Sequence, residues 1–420
     1  MPHQDIVTDA QLRQFCRRLA HAKTIAFDTE FVSEHTYRPV LCLIQVAADD
    51  QLAVIDALAI TDPTPFWEAV AAPGHETIVH AGRSEVEFCW QAIGQFPAGL
   101  IDVQVAAGLA GAEYPAGLGA LVSRYLGRTP SKHETRTDWR RRPLTKRQID
   151  YAMTDASCLP PLCEAIRGKL DALGRLPWLA EEMESWQKAL NVSLRRERWR
   201  RVSGNAALDT RGLAIVRELF QWREKEAERR DQPVRRILRD DLLVELARCG
   251  SADPKRIQSV RGMERGDLRR RLDEIAAAIQ RGLDVPDADC PRKPPREYVP
   301  ELSVLGQFLF SALGSVCRQV ELAPNLVGTP NDIREWMTYR SRKKIAAAAD
   351  PPAPPPSSEA RAKPAPRTSA GPWQGDPPQL ARGWRAELIG RLFEDLLAGK
   401  LVARIANPKS GHPLAFDPAG

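Results

Sequence analysis

The chain has 420 residues, 43 % of them hydrophobic and 27 % charged, with a formal net charge of +6. That length exceeds what one hydrophobic core serves and predicts two or three domains, and so small a basic excess makes the distribution of charge matter more than its size. No apolar run is long enough to span a membrane, no charged-then-apolar leader opens the chain, and the eight cysteines form no CxxC and no zinc-spaced set with His; these features argue against a membrane protein, a thiol enzyme or a zinc module, and predict a cytoplasmic protein with no membrane partner.

In chain order, strands are expected at Thr24–Phe31, Val40–Ala47, Leu52–Ile55 and Thr77–His80, the middle two joined by the polar "ADDQ", a hairpin signal. In "TIAFDTEFV" the period of 2 puts Asp28 and Glu30 on one face, with Phe27, Thr29 and Phe31 on the other. Two like charges side by side on a half-buried strand repel and are best tolerated around a multivalent cation, although a strand running into a solvated turn would also carry them.

Helical spacing follows at Ser84–Ile93 and Leu118–Tyr125, and a longer helix begins near Thr145. "HAGRSEVEFCW" puts Glu85 and Glu87 in a first helical turn, where complementing the helix dipole is reason enough for them. Asp102 in "LIDVQVAAGLAG" reads as a cap or turn residue. Tyr151 and Asp155, four apart, share a helix face, as a Tyr anchored by a carboxylate also would. Three successive strands followed by alternating helices predict an α/β domain with a mixed sheet, over residues 1–175.

Beyond residue 175 strand signals vanish. Residues 176–207 read as a connecting helix and linker ending in the basic "LRRERWRRV", and 208–285 as a helical domain of four or five helices. Residues 347–378, rich in Pro and Ala, read as a disordered insertion. "RGMERGDLRRRLDEIAAAIQRGL" resembles "ARGWRAELIGRLFEDLLAGKL", and "QPVRRILRDDLLVEL" resembles "LAPNLVGTPNDIREW". These pairs suggest a divergent second helical domain from 296–341 plus 380–405; coincidence between amphipathic helices is the alternative.

"FDTEF", "LCLIQVA", "HAG" before an acidic helix start, "TDWRRRPLT" and "YAMTDAS" occur in one order over residues 1–205. Together they resemble the ribonuclease D family of 3′–5′ exonucleases, in the tyrosine-bearing branch of the DEDD superfamily. Residues 209–283 resemble the helical nucleic-acid-binding domain shared by RecQ-type helicases and ribonuclease D (HRDC). The resemblance implies a ribonuclease H-like α/β exonuclease domain, a mixed sheet flanked by helices, followed by one or two all-α helical domains. It implies an enzyme that hydrolyses RNA from its 3′ end to nucleoside 5′-monophosphates, with tRNA precursors as substrates and a monomeric state.

By the same resemblance Asp28, Glu30 and Asp155 ligate a first divalent ion, Asp28 bridges to a second, and Tyr151 orients the attacking water. Mg²⁺ or Mn²⁺, two per site, suits an all-carboxylate donor set. Glu85 stands where the family usually has Asp, one methylene longer, which moves the carboxylate by about 1.5 Å. An active enzyme with altered metal preference and an RNA-binding module with little catalysis are both open, as is a DNA-directed exonuclease. The basic run Arg140, Arg141, Arg142 and Lys146, with Arg136 and Arg147 nearby, would grip the phosphate backbone. Trp139 among them is expected to pack in the core; stacking on a base is the alternative.

Overall fold

The computed structural model describes residues 3–49, 51–128, 137–195, 197–292, 302–348, 373 and 375–420. The N-terminal part is built of β1 (Gln4–Ile6), α1 (Asp9–Leu19), β2 (Thr24–Val32), β3 (Val40–Ala48), β4 (Gln51–Asp56), α2 (Thr64–Ala71), β5 (Glu76–Val79), α3 (Arg83–Ile93), β6 (Leu100–Asp102), α4 (Val103–Leu109), α5 (Leu118–Leu126) and α6 (Lys146–Ala172). The six strands form one mixed sheet in the order β1-β4-β3-β2-β5-β6. β2, β3 and β4 form an antiparallel meander, and β1, β5 and β6 join parallel to their neighbours. The structure adds β1, β6, α1, α2 and α4 to the expected set. The two strands are three residues long, too short to show a period.

The alternation expected of β2 is realised. Phe27 packs edge-on against Phe66 and Trp67 of α2 at 5.4 and 6.0 Å between ring centroids, and Phe31 against Phe88 of α3 at 5.5 Å. The opposite face, with Asp28 and Glu30, lies under α6. There Leu43 and Val54 pack with Trp139, Ala152 and Met153 in a separate small core. Trp139 is thus a core residue, as expected. α6 starts at a capping box in which Thr145 and Gln148 satisfy each other's backbone N–H groups.

α7 (Leu176–Arg195) leads to helices at Thr210–Arg230 (α8), Val234–Ile237, Asp240–Cys249, Pro254–Ser259, Gly266–Arg269 and Leu272–Asp284, which enclose a core of their own. α8 meets the loop after β2. The Tyr37 N–H donates to Asp231 at 3.0 Å, and its hydroxyl donates to Glu224 at 2.9 Å. Further helices at Leu302–Gln319, Pro324–Val327 and Pro330–Ala348, with short helical turns over 379–397, follow. Their buried side chains, Leu309 to Phe393, are continuous with the main core of the sheet and α1–α5. Most of the 347–378 stretch lies outside the described residues.

The strand-free second half is not what the structure has: β7 (Leu401–Ile405) pairs antiparallel with β8 (Leu414–Pro418). "LVARI" is a single short strand whose partner sits beyond "ANPKSGHP", so no local alternation announces it. β8 is fixed to the helix Leu302–Gln319 through the Leu414 N–H, which donates to the Ser315 hydroxyl at 3.2 Å.

Candidate active site

Three devices deliver the five candidate residues. The period of β2 presents Asp28 and Glu30 to α6, and a β-bulge lies between Glu30 and Phe31 against Leu43 and Leu41. Such bulges re-aim side chains at the end of a ladder. One helical turn apart on α6, Tyr151 and Asp155 face the same cluster: the Tyr151 hydroxyl hydrogen-bonds Asp155, and Asp155, Glu30 and Asp28 all act on it electrostatically.

Glu85 comes from the first turn of α3, and the "HAG" stretch explains how that helix is aimed. Ala81 has φ +52°, and Gly82 caps the helix where a Cβ would lie 2.2 Å from Val79 Cγ2. Asp102 clamps this turn: its carboxylate accepts from the N–H groups of Ala81 and Gly82, both at 3.0 Å, and of Gln104 at 2.9 Å. Asp102 is therefore a cap, as read from the sequence, with a second grip on the turn that aims Glu85. Glu87, by contrast, pairs with Arg83 at 2.8 Å on the helix surface.

Glu85 is buried and accepts a hydrogen bond from the Thr29 hydroxyl at 2.6 Å. Sequence reasoning missed Thr29 as a partner. The available signal was a polar residue, flanked by Phe27 and Phe31, on the otherwise apolar face of β2.

The cluster is starved of positive charge. Burial, then Glu85, Glu30 and Asp155, raise the Asp28 carboxyl well above its ordinary range. Burial, Asp155 and Glu85 push Glu30 up to about 8. Burial raises Glu85 to about 7 against the opposing hydrogen bond from Thr29. Burial and the neighbouring carboxylates, Asp155 first, keep the Tyr151 phenol protonated far above neutrality.

Among the described residues no three side chains stand at metal-holding spacing. The donor set itself fits hard divalent cations: it is all carboxylate oxygen, half-buried and mutually repulsive, with neither His nor Cys among the donors.

The basic run is not uniform. Arg140 and Arg141 both lean on Asp138, at 3.0 and 3.8 Å, and Arg141 is 85 % exposed. Lys146 is exposed at the start of α6. Arg142, expected to grip phosphate, is engaged within the protein. Its guanidinium forms a fork to Asp56, Nη2 to Oδ1 at 2.6 Å, and donates to the carbonyls of Trp139 and Cys42 at 2.7 and 3.0 Å. Those donors hold the "TDWRRRPLT" segment against β3 and β4. Arg136 lies outside the described residues.

The chain is similar to known proteins over most of its length. A family profile described as 3′–5′ exonuclease matches residues 4–171, and the HRDC domain profile matches residues 212–279. Ribonuclease D of Nitrobacter hamburgensis is 34 % identical over 335 residues, covering 78 % of this chain and 86 % of that protein. Ribonuclease D of Escherichia coli is 29 % identical over 402 residues, covering 94 % and 99 %. The crystal structure of Escherichia coli RNase D, described as an exoribonuclease involved in structured RNA processing, superposes with a TM-score of 0.76 at 28 % identity, covering 95 % of this chain and 99 % of that one. A fold and a set of relatives this extensive make the chain a member of the ribonuclease D family, a 3′–5′ exoribonuclease dependent on divalent metal ions.

Proposed function

We propose that Asp28, Glu30, Glu85 and Asp155 hold two divalent ions, Mg²⁺ or Mn²⁺, and that with Tyr151 they remove nucleoside 5′-monophosphates one at a time from the 3′ ends of tRNA precursors. The observation that carries this reading is the half-buried carboxylate cluster in which the charges of Glu85, Glu30 and Asp155 act on Asp28. When bound, such ions supply an activated water and neutralise charge on the phosphoryl oxygens and the leaving group.

The chain's own residues do the rest. Burial and the neighbouring carboxylates hold the Tyr151 hydroxyl protonated, which favours an orienting role over that of a base. Its hydroxyl donates to Asp155, which leaves the phenol oxygen to accept from the attacking water and fix its direction. Asp28, between β3 and α6, is the carboxylate both ions would share. Arg140, Arg141 and Lys146 sit on the segment leading into α6 and would take the phosphates of the strand entering the site, without reading sequence. The helical domain at 208–285, docked beside the loop that ends β2, would hold the body of a structured RNA while its 3′ end reaches the carboxylates. A monomer supplies every residue of this site.

The test offers the protein a 3′-extended tRNA precursor, the same extension as free single-stranded RNA, and the DNA equivalent. Preferential stepwise shortening of the tRNA precursor is expected. Equal trimming of all three would set aside the tRNA assignment, and trimming of DNA alone would set aside RNA.

A further inference from the structure

The antiparallel register places Gln45 of β3 directly opposite Asp28 of β2. Cross-strand partners share a face of the sheet with their Cβ atoms about 4.5–5.5 Å apart. Gln45 therefore stands on the face that carries Asp28 and Glu30, beneath α6. Leu43, two residues earlier on the same face, packs with Ala152 and Met153 of α6. Gln45 is 0 % exposed, and neither its Nε2 nor its Oε1 has a hydrogen-bond partner among the described residues.

Packing does not explain a Gln here. Its neighbours in "VLCLIQVAA" are apolar, and a Leu or Met of similar volume would fill the space without stranding an amide, which is a costly thing to bury unpaired. Asp28 has the complementary need. A carboxylate offers about four acceptor positions, and the backbone N–H of Thr29 serves one of them, while the charges pressing on it are those of Glu85, Glu30 and Asp155. Across the ladder, Gln45 supplies a neutral donor that could meet another.

We propose that Gln45 is a positioning residue for Asp28: from across the ladder its Nε2 donates to the Asp28 carboxylate, fixing the orientation in which Asp28 presents its remaining lone pairs to the divalent ions. The proposal rests on the reading of Asp28 as a metal ligand. It gives an otherwise orphaned amide in a strand core a partner directly across the ladder. Groups behind metal ligands act in this way, and their loss typically costs about 10–100-fold in metal affinity or activity.

The test compares Gln45→Met and Gln45→Leu with wild type and Asp28→Asn. Three quantities are read: the melting temperature without metal, Mn²⁺ affinity by titration calorimetry, and kcat and KM on a 3′-extended RNA. The expected result is a metal-free melting temperature equal to or above wild type in both variants. Mn²⁺ binding falls about 10–100-fold, and kcat falls while KM for RNA is unchanged. Mn²⁺ affinity and kcat at wild-type values in both variants, with Asp28→Asn inactive, would overturn the role of Gln45 alone. A lowered metal-free melting temperature in both variants would also overturn it, marking Gln45 as a packing residue. Wild-type turnover by Asp28→Asn would instead overturn the reading of the site, and this proposal with it.

Discussion

Thr29 donates its hydroxyl hydrogen to Glu85 Oε1 at 2.6 Å across the buried seam between β2 and α3. Thr29 lies between Asp28 and Glu30 but points the other way, so it reaches Glu85 from the apolar face. The bond shows where the extra methylene of Glu85 is accommodated. Shortening the side chain should release Thr29 and alter how the carboxylate meets an ion. Glu85→Asp is expected to stay active within about tenfold of wild type but with a changed ratio of Mg²⁺ to Mn²⁺ rates. Glu85→Ala should lose about 100-fold or more, the scale of a misplaced site group. Initial rates in each metal check both.

The carboxylates also set a pH dependence of stability in the absence of metal. Glu30 and Glu85 titrate in the folded protein near 8 and 7, above the ordinary carboxyl value of 4.5. Their contribution is therefore fully present below pH 4.5 and is lost as pH rises through 7 and 8. In EDTA the melting temperature should decline across that window, and Glu30→Gln should flatten the decline. Added Mn²⁺ should raise the melting temperature more at pH 8 than at pH 6, because ligation requires the ionised forms. Thermal scans at a series of pH values, with and without Mn²⁺, read both trends.

Arg142 and Arg141 are adjacent in sequence and should behave oppositely. Burial alone would raise the Asp56 carboxyl, and Arg142 overrides it, holding it below its usual value. Arg142→Ala should cost about 2 kcal/mol, through lost charged hydrogen bonds and a stranded Asp56. Arg141→Ala should leave stability unchanged but weaken RNA binding and lower its salt slope by about one. Denaturant melts and RNA titrations at several salt concentrations separate the two.

The second group of helices is tied to the exonuclease core by a buried ion pair. Arg385 Nη2 donates to Glu182 at 3.0 Å, and the same guanidinium reaches the carbonyls of Val327 and Leu326 at 2.9 and 2.8 Å. Arg385→Ala leaves Glu182 buried and unpaired, and removing one partner of such a pair costs about 3–5 kcal/mol. Calorimetry should show this loss in the transition of the exonuclease core, with which these helices share buried side chains. The transition of the helices at 210–284, which enclose a separate core, should not move.

What the sequence disclosed depended on how local the signal was. The facing of Asp28 and Glu30, the shared face of Tyr151 and Asp155, and the helix start at Thr145 follow from periods and caps within a few residues. The link from Arg142 to Asp56 spans 86 positions, and nothing in "TDWRRRPLT" distinguishes that Arg from its exposed neighbours. β7 and β8 find each other only across a loop, and Thr29 meets Glu85 only once α3 has packed on β2. Gln45 stood in a quoted motif, but its partnerless state could be seen only after the register with Asp28 was fixed.

On the proposed function, the Asp28 cluster holds the ions that drive trimming. The most direct measurement is Mn²⁺ binding by calorimetry beside single-turnover shortening of a 3′-extended RNA, for wild type, Asp28→Asn and Asp155→Asn. Two bound ions and stepwise release of 5′-monophosphates are expected of wild type, with both lost in the two variants while RNA binding persists. Undiminished Mn²⁺ binding and trimming by Asp28→Asn would contradict it.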